Sequence, residues 1–190
     1  MQVTFLTGLS ARGGAEEVMV GIAKYFSSST STWKVNLVIL LAEGAPSSAL
    51  DDFPQPALTF QRAKRTIFSV PGILGVLLRK KPSVIVSSLP HVSAAVSLAN
   101  LITGGRAMHV VRVESILQRP PGLGLSGRIR ESIMRRLIAQ ADHYVVVSRE
   151  LIEPSSTITN SKSRKVCRRI LAIDSPIEFS LFRTGIMQEI

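Results

Sequence analysis

The sequence predicts an α/β fold, a doubly wound parallel sheet in a single domain. Apolar segments of strand length alternate with segments of helical periodicity, a pattern typical of Rossmann-like domains. Several strand segments, such as KVNLVILLA (34–42), are apolar on both faces, as parallel strands covered by helices are. The 190 residues suit one domain, and 45% of them are hydrophobic, enough for a proper core.

The first half of the chain predicts three strands and one well-defined helix. QVTFLT (2–7) is the first strand, 34–42 the second, and LTFQ (58–61) a short third. A loop with three glycines follows the first strand and leads directly into a helix. The apolar stripe of that helix consists of Ala15, Val18, Met19, Ile22 and Phe26.

The second half continues the alternation as far as residue 153. Ser126 is the expected N-cap of the last helix. After Pro154 the chain becomes polar and basic, so we assign 1–153 to the domain and 154–190 to a divergent tail or the start of an interdomain segment. ILAIDSPIE (170–178) predicts one more strand and turn. The other predicted elements are strands at 83–89, 108–115 and 142–148, helices at 67–79, 91–103 and 127–140, and a helical turn at 149–153.

The composition favours a partner that carries negative charge. Lys and Arg number 23 against 13 Asp and Glu, a formal charge of +10. Nucleic acid, anionic lipid and phosphorylated sugars all fit such a surface. Only 5% of residues are aromatic and no zinc-knuckle or RNP pattern occurs, so nucleic acid is disfavoured. The single cysteine, Cys167, and the absence of a signal peptide favour a cytoplasmic protein.

One uncharged stretch raises the question whether the chain crosses a membrane. Residues 83–105 carry no formal charge and are long enough to cross a bilayer. Pro90 divides the stretch, however, and several serines, His91 and Asn100 interrupt it. A buried strand followed by a helix rich in small residues therefore explains it better than a transmembrane helix.

The glycine loop lies where many α/β proteins hold a phosphate. It is not a Walker A loop, because no Lys-Ser/Thr pair follows Gly13, and it is not the Gly-x-Gly-x-x-Gly dinucleotide motif. Gly13 and Gly14 still allow a close approach of a ligand to the backbone. Glu16 and Glu17 partly neutralise the partial positive charge at the N-terminus of the following helix. The loop is therefore better suited to form one wall of a ligand cleft than to enclose a phosphate tightly. A simple strand-to-helix turn is the alternative.

Four segments in order resemble the family-four glycosyltransferases, which have the GT-B fold. They are RGGAEEVMVGIAKYF, KKPSVIVSSLPHVSAAVSLAN, HVVRVESILQ and RIRESIMRRLIAQADHYVVVSREL, and the last is the most specific. Together they cover roughly residues 2 to 153. The resemblance implies that the chain is the N-terminal, acceptor-side domain of a two-domain enzyme, half of a GT-B architecture.

The resemblance also implies roles for particular residues. Such enzymes transfer a sugar from a nucleotide-sugar donor to a lipid-linked or polysaccharide acceptor, usually with retention and without a metal or other cofactor. Gly13 and Gly14, with Arg12 beside them, would approach the donor diphosphate or the acceptor. Glu114 and His91 would lie near the reacting sugar, although relatives often have His in place of Glu114. The alternatives are a capping or core role for His91, an ion pair of Glu114 with a neighbouring arginine, and a solvated Arg12.

The basic residues suggest a membrane surface. Arg128, Arg130, Arg135 and Arg136 occupy a predicted helix on which Ile129, Ile133 and Leu137 share another face. With the basic residues of 62–65 and 79–81 they could bind anionic lipid on the inner face of the cytoplasmic membrane. The alternative is a helix packed on the sheet with a solvated basic outer face.

The resemblance covers only half of a complete enzyme. No pair of glutamates suited to donor binding follows residue 153. We therefore expect the lone chain to bind nucleotide sugar poorly and to transfer little sugar. Three explanations remain open: a truncated or frameshifted product, one half of a split enzyme whose donor domain is a separate chain, or a non-enzymatic module that binds lipid-linked saccharide or anionic membrane.

Overall fold

The structure is a computed structural model that describes residues 1–9, 14–29, 33–41, 58–61, 69–113, 124–146 and 170–172. These residues form a parallel sheet of seven strands in the order β3-β2-β1-β4-β5-β6-β7. The strands are β1 (Gln2–Leu9), β2 (Lys34–Leu41), β3 (Leu58–Gln61), β4 (Val84–Ser88), β5 (Met108–Val113), β6 (His143–Val146) and β7 (Ile170–Ala172). The helices are α1 (Gly14–Ser29), α2 (Val70–Lys80), α3 (Pro90–Ile102) and α4 (Leu125–Ile138).

The helices lie on both faces of the sheet, as the sequence predicts. The chain passes from β1 to β2 through α1, whereas α2, α3 and α4 lead in the opposite direction along the sheet. Since parallel crossovers are right-handed, α1 covers one face and the other three helices cover the other. In agreement with this, α2 packs on α3 and α3 packs on α4.

Aromatic residues anchor α1 to its face of the sheet. Phe26 is buried, its ring centroid lies 6.0 Å from that of Phe5, and it stacks on Trp33 at 5.0 Å. Met19 is also buried in this core cluster. Val18, which the sequence assigns to the same stripe, is 47% exposed, so that part of the prediction is wrong. Val18 lies about 100° around the axis from Met19, at the margin of the buried face.

The opposite face has two apolar clusters beneath α2, α3 and α4. Ile73 of α2 and Ile85 of β4 are completely buried in one of them. Tyr144 of β6 is completely buried in the other, and its hydroxyl donates a hydrogen bond to the carbonyl of Ile138 at 2.8 Å. This bond fixes the end of α4 to the sheet.

The uncharged stretch 83–105 forms a strand and a helix, not one long helix. Pro90 is the first residue of α3, where its missing N–H costs no hydrogen bond. Much of α3 is buried between its neighbours, which explains its small residues. In the described ranges, no helix has both the length and the hydropathy that crossing a bilayer requires.

Several predicted boundaries differ from the observed ones. Helix α4 begins at Leu125, and its N-cap is Gly124, not Ser126. Helix α2 begins at Val70 rather than at 67. The predicted turn at 149–153 and the basic stretch up to 169 lie outside the described residues.

Candidate functional site

The topological switch point of the sheet, where the strand order changes direction, lies between β1 and β4. Its carboxyl edge is the candidate site. The connection from β1 leads to β2 on one side, and the connection from β3 returns to β4 on the other. Helix α1 begins at Gly14 and helix α3 at Pro90, after the ends of these two strands. In open α/β sheets, ligands bind outside the carboxyl ends of the strands at such a switch point.

The ends of β1 and β4 approach each other closely. A Cβ added to Gly8 would lie 3.0 Å from Cδ1 of Leu89, so a larger residue at position 8 would require the Leu89 side chain to shift. Leu89 has φ 69° and ψ 127°, in a region that favours glycine. Non-glycine residues in such conformations cluster at ligand sites and switch regions. The bend at Leu89 turns the chain from β4 directly into α3.

Polar side chains lie just below this edge. The Thr7 hydroxyl donates to the Gly8 carbonyl at 3.2 Å, and its oxygen lies 3.3 Å from Oγ of Ser88. Because the Thr7 proton is committed to Gly8, Ser88 is the donor in the second bond. Both side chains are completely buried, so they fix the strand ends and do not face a ligand.

A histidine and three serines form a buried network between β4, β5 and α3. Nε2 of His109 lies 2.8 Å from Oγ of Ser87, and Nδ1 lies 3.1 Å from Oγ of Ser97. Ser87 donates its proton to Oγ of Ser93 at 2.9 Å, so Ser87 accepts from Nε2–H and Ser97 donates to Nδ1. Burial lowers the pKa of His109 to about 3, and the imidazole is therefore neutral. No sequence motif marks His109 as functional, and the network is structural.

The predicted site residues are only partly described. Gly14 is the first residue of α1, and His91 is exposed in the first turn of α3, at the same edge of the sheet. His91 is therefore not a core histidine, and the N-cap of α3 is Leu89. Arg12, Gly13 and Glu114 lie outside the described residues, as do the basic residues of 62–65. Their assigned roles stay predictions.

The arginines of α4 divide into two groups. Arg135 pairs with the buried Glu131, with Nε at 2.8 Å and Nη2 at 2.6 Å from the same carboxylate oxygen. Arg128, Arg130 and Arg136 are exposed. Ile129 and Ile133 are each more than half exposed, so in the alternative interpretation, a helix packed on the sheet, theirs is not the face that packs. Leu137, assigned to the same face, is partly buried against the core.

Metal chemistry receives no support from the described part of the chain. No group of three or more His, Cys, Asp and Glu residues there could hold an ion. Among the described residues at the carboxyl edge, the Thr7 and Ser88 hydroxyls are buried, whereas the imidazole of His91 is exposed. An exposed imidazole can form hydrogen bonds with a sugar or a phosphate.

Comparison with known proteins gives a fold and no family. No protein-family profile and no curated protein matches the chain. Solved structures do match it. One is a putative UDP-N-acetylglucosamine 2-epimerase from Listeria monocytogenes, with a TM-score of 0.63, 17% identity, and coverage of 85% of this chain and 43% of that one.

Two further solved structures match to a similar extent. The lipopolysaccharide outer core galactosyltransferase WaaB in its apo form has a TM-score of 0.61 and 14% identity over 85% of this chain and 43% of its own. Anabaena HepE in complex with UDP has a TM-score of 0.60 and 16% identity over 98% of this chain and 50% of its own. The chain thus spans half or less of these structures. It has the Rossmann-like fold of one half of a GT-B protein.

Proposed function

We propose that the chain is the acceptor-binding half of a glycosyltransferase of the family-four type. Together with a donor-binding domain, it would transfer a sugar from a nucleotide sugar to a lipid-linked or polysaccharide acceptor. In that reaction an acceptor hydroxyl attacks the anomeric carbon, and the bond from that carbon to the diphosphate oxygen breaks. The nucleoside diphosphate leaves with the bonding electrons and takes up the proton of the acceptor hydroxyl.

The switch point between β1 and β4 carries this proposal. Gly8 and the start of α1 at Gly14 form one side of it, and the bend at Leu89 with the exposed His91 forms the other. Between 85% and 98% of this chain matches about half of WaaB or HepE, which supports the assignment of the chain to one half of a two-domain enzyme. We assign Arg12, Gly13 and Gly14 to the diphosphate or the acceptor, and His91 and Glu114 to the reacting sugar.

A donor-binding domain is needed for turnover in this proposal. In a GT-B enzyme the nucleotide sugar lies between two Rossmann-like halves, and this chain supplies one. The nucleotide sugar is a substrate, and no resident cofactor is required. We expect the 190-residue chain alone to turn over UDP-sugars at a negligible rate.

Ligand-detected NMR on the purified chain tests the proposal. The probes are a soluble short-chain polyprenyl diphosphate monosaccharide as acceptor and UDP-glucose as donor. We expect acceptor binding that H91Q weakens, and only weak donor binding. H143Q is the matched control, because His143 begins β6 at the opposite edge of the sheet.

Two results would contradict the proposal. One is tight binding of UDP-glucose with no detectable acceptor binding, which would assign the chain to the donor side. The other is rapid turnover of a nucleotide sugar by the chain alone, which would show that no second half is needed.

A further inference from the structure

The stripe of α3 that faces β4 and β5 is polar, although it is buried. Ser93, Ser97 and Asn100 are 0%, 2% and 8% exposed. They are four and three residues apart, so they lie within about 60° around the helix axis. Each of the three forms a hydrogen bond with a group outside the helix, in β4, in β5 or in the residue before β5. These directional bonds fix where α3 lies on the sheet.

The apolar contacts beside this stripe do not fix the helix in the same way. The small aliphatic residues of α3 that make them are Val92, Ala95, Val96 and Ala99. Apolar attraction is non-directional. A hydrogen bond, in contrast, weakens steeply when its angle departs from the preferred range. The polar stripe therefore sets the position of α3, and of the residues at its start, more strictly than the apolar contacts do.

A hydrogen bond between Ser87 and Ser93 closes the turn that leads from β4 into α3. Oγ of Ser87 donates to Oγ of Ser93 at 2.9 Å, across six residues of the chain. The N–H of Ser93 also donates to the carbonyl of Leu89 at 2.9 Å. Ser93 thus holds the turn through its side chain and through its main chain. We call the bonded pair Ser87 and Ser93 the turn clamp.

The turn clamp encloses a strained residue and an exposed one at the switch point. Leu89 has φ 69°, and His91 is exposed at the start of α3. A non-glycine residue keeps such a conformation only where the surrounding structure over-determines it. The clamp constrains the turn from both sides, since Ser87 precedes Leu89 and Ser93 lies in the first turn of the helix.

His109 determines the direction in which the proton of the clamp points. Its Nε2–H donates to Oγ of Ser87 at 2.8 Å. Ser87 has a single proton, so it accepts from the imidazole and donates to Ser93. Ser97 donates to Nδ1 at 3.1 Å and thereby keeps the other ring nitrogen protonated. In this way β5 orients a hydrogen bond that joins β4 to the start of α3.

We propose that the turn clamp positions the switch point for its ligand. Its two serines, oriented by His109, hold Leu89 and His91 in the arrangement that binds the acceptor. Both serines are completely buried, so they act through the turn and do not touch the ligand. A turn that is already ordered spares the ligand the free-energy cost of ordering it. The role in acceptor binding rests on the proposed function, whereas the effect of the clamp on the turn does not.

NMR on the full chain tests the clamp without any ligand. The three-bond coupling between the amide and α protons of Leu89 depends on φ and so reports the conformation of the turn. We expect this coupling to change in S93A, which removes one partner of the clamp. S97A is the matched control, because Ser97 is a buried serine of the same stripe and bonds to Nδ1 of His109. Urea denaturation should show both variants destabilised, but only S93A should alter the coupling of Leu89.

Acceptor binding measures the positioning role. The probe is the soluble short-chain polyprenyl diphosphate monosaccharide, followed by ligand-detected NMR. The dissociation constant of S93A should be about fivefold higher than that of the wild type, the equivalent of about 1 kcal/mol for one hydrogen bond. S97A should bind the acceptor as tightly as the wild type. A loss of stability alone would affect the two variants alike.

A second pair of variants separates the hydroxyl from the volume of the side chain. Threonine and valine have nearly the same shape, but only threonine can form the bond with Ser87. Any strain from the additional methyl group is common to S93T and S93V. We therefore expect S93T to retain more acceptor affinity than S93V, and to keep the coupling of Leu89 closer to that of the wild type.

Three results would overturn the proposal. They are an unchanged coupling of Leu89 in S93A, an equal response of S93A and S97A, and equal behaviour of S93T and S93V. The proposed function fails separately. If the wild type binds no acceptor but the coupling of Leu89 still responds to S93A alone, the assignment of the acceptor is wrong and the clamp remains. If the wild type and S93A bind the acceptor equally, the clamp has no positioning role, and acceptor binding by the chain stands.

Discussion

Oγ of Ser87 lies 2.8 Å from Nε2 of His109, and both side chains are buried between β4, β5 and α3. Ser97 closes the other side of the ring at 3.1 Å. Each ring nitrogen therefore has a hydroxyl partner that suits the neutral imidazole. A proton added to Nδ1 would face Ser97, whose hydroxyl donates to that nitrogen, at a side chain that is only 1% exposed to solvent.

The network predicts a loss of stability in acid. Burial lowers the pKa of His109 from 6.5 to about 3 in the folded protein. At pH values between these two pKa values, His109 binds a proton in the unfolded chain but not in the folded protein. The free energy of unfolding therefore falls as pH falls, by at most about 1.4 kcal/mol per pH unit. Urea denaturation from pH 7 to pH 4 measures it.

H109Q separates this effect from the other titrating groups. The variant should be less stable than the wild type at pH 7, because Ser87 and Ser97 lose hydrogen bonds with the imidazole. Its stability should nevertheless fall less steeply on acidification. Equal slopes for the two proteins would contradict the assignment of the effect to His109.

Two neighbouring aromatic residues of α1 should differ sharply in their effect on stability. Phe26 is 3% exposed and stacks on Trp33, whereas Tyr25 is 52% exposed. We expect F26A to lower the free energy of unfolding by about 3–5 kcal/mol through lost burial and a cavity. Y25A should cost at most about 0.5 kcal/mol, as surface changes do. Chemical denaturation compares them, and similar costs would contradict the orientation of α1.

The end of α2 offers a stabilising change. Lys81 has φ 45° and ψ 56°, a left-handed conformation, and its N–H donates to the carbonyl of Leu77. Glycine avoids the steric cost of this conformation, which is about 1–2 kcal/mol, but loses part of that gain through unfolded-chain entropy. K81G should therefore raise the free energy of unfolding by about 0.5–1 kcal/mol.

K80G is the matched control for that change. Lys80 is the neighbouring residue and the last one in α2, so glycine there should lower stability by up to about 1 kcal/mol. Thermal unfolding should thus shift in opposite directions for the two variants. A shift in the same direction would show that the left-handed conformation of Lys81 is not what matters.

The sequence predicts the alternation of strands and helices well because burial on both faces leaves a strong apolar pattern. It predicts α4 less well. The rule that the most apolar stripe packs inside would bury Ile129 and Ile133, but the ion pair between Glu131 and Arg135 allows a carboxylate to be buried instead. Whether such a pair can be buried depends on how the helix lies on the sheet, and the spacing of apolar residues in the sequence does not reveal this.

At the candidate site, too, the sequence predicts a local feature but not the contacts between distant residues. A glycine-rich strand-to-helix turn is visible in the sequence as a local motif. The contact of Gly8 with Leu89 joins residues far apart in the chain, and the partners of His109 come from a strand and a helix upstream of it. Only the fold brings these residues together, so local patterns do not predict them.

The contact between Gly8 and Leu89 predicts a measurable coupling at the switch point. G8V adds two methyl groups beyond a Cβ that would already lie 3.0 Å from Cδ1 of Leu89, so it should cost about 1–3 kcal/mol of stability. In an L89A background that obstacle is gone, and the cost should be smaller by about 1 kcal/mol or more. Urea denaturation of the four proteins of this double-mutant cycle gives the coupling energy.

A second glycine supplies the control for this cycle. Gly21 lies on the exposed side of α1, and a Cβ added there meets nothing within 4 Å. G21A should therefore stabilise the protein by up to about 1 kcal/mol through helix propensity, equally in the wild-type and L89A backgrounds. If G8V costs the same in both backgrounds, the ends of β1 and β4 do not meet as described, and the geometry assigned to the switch point is wrong.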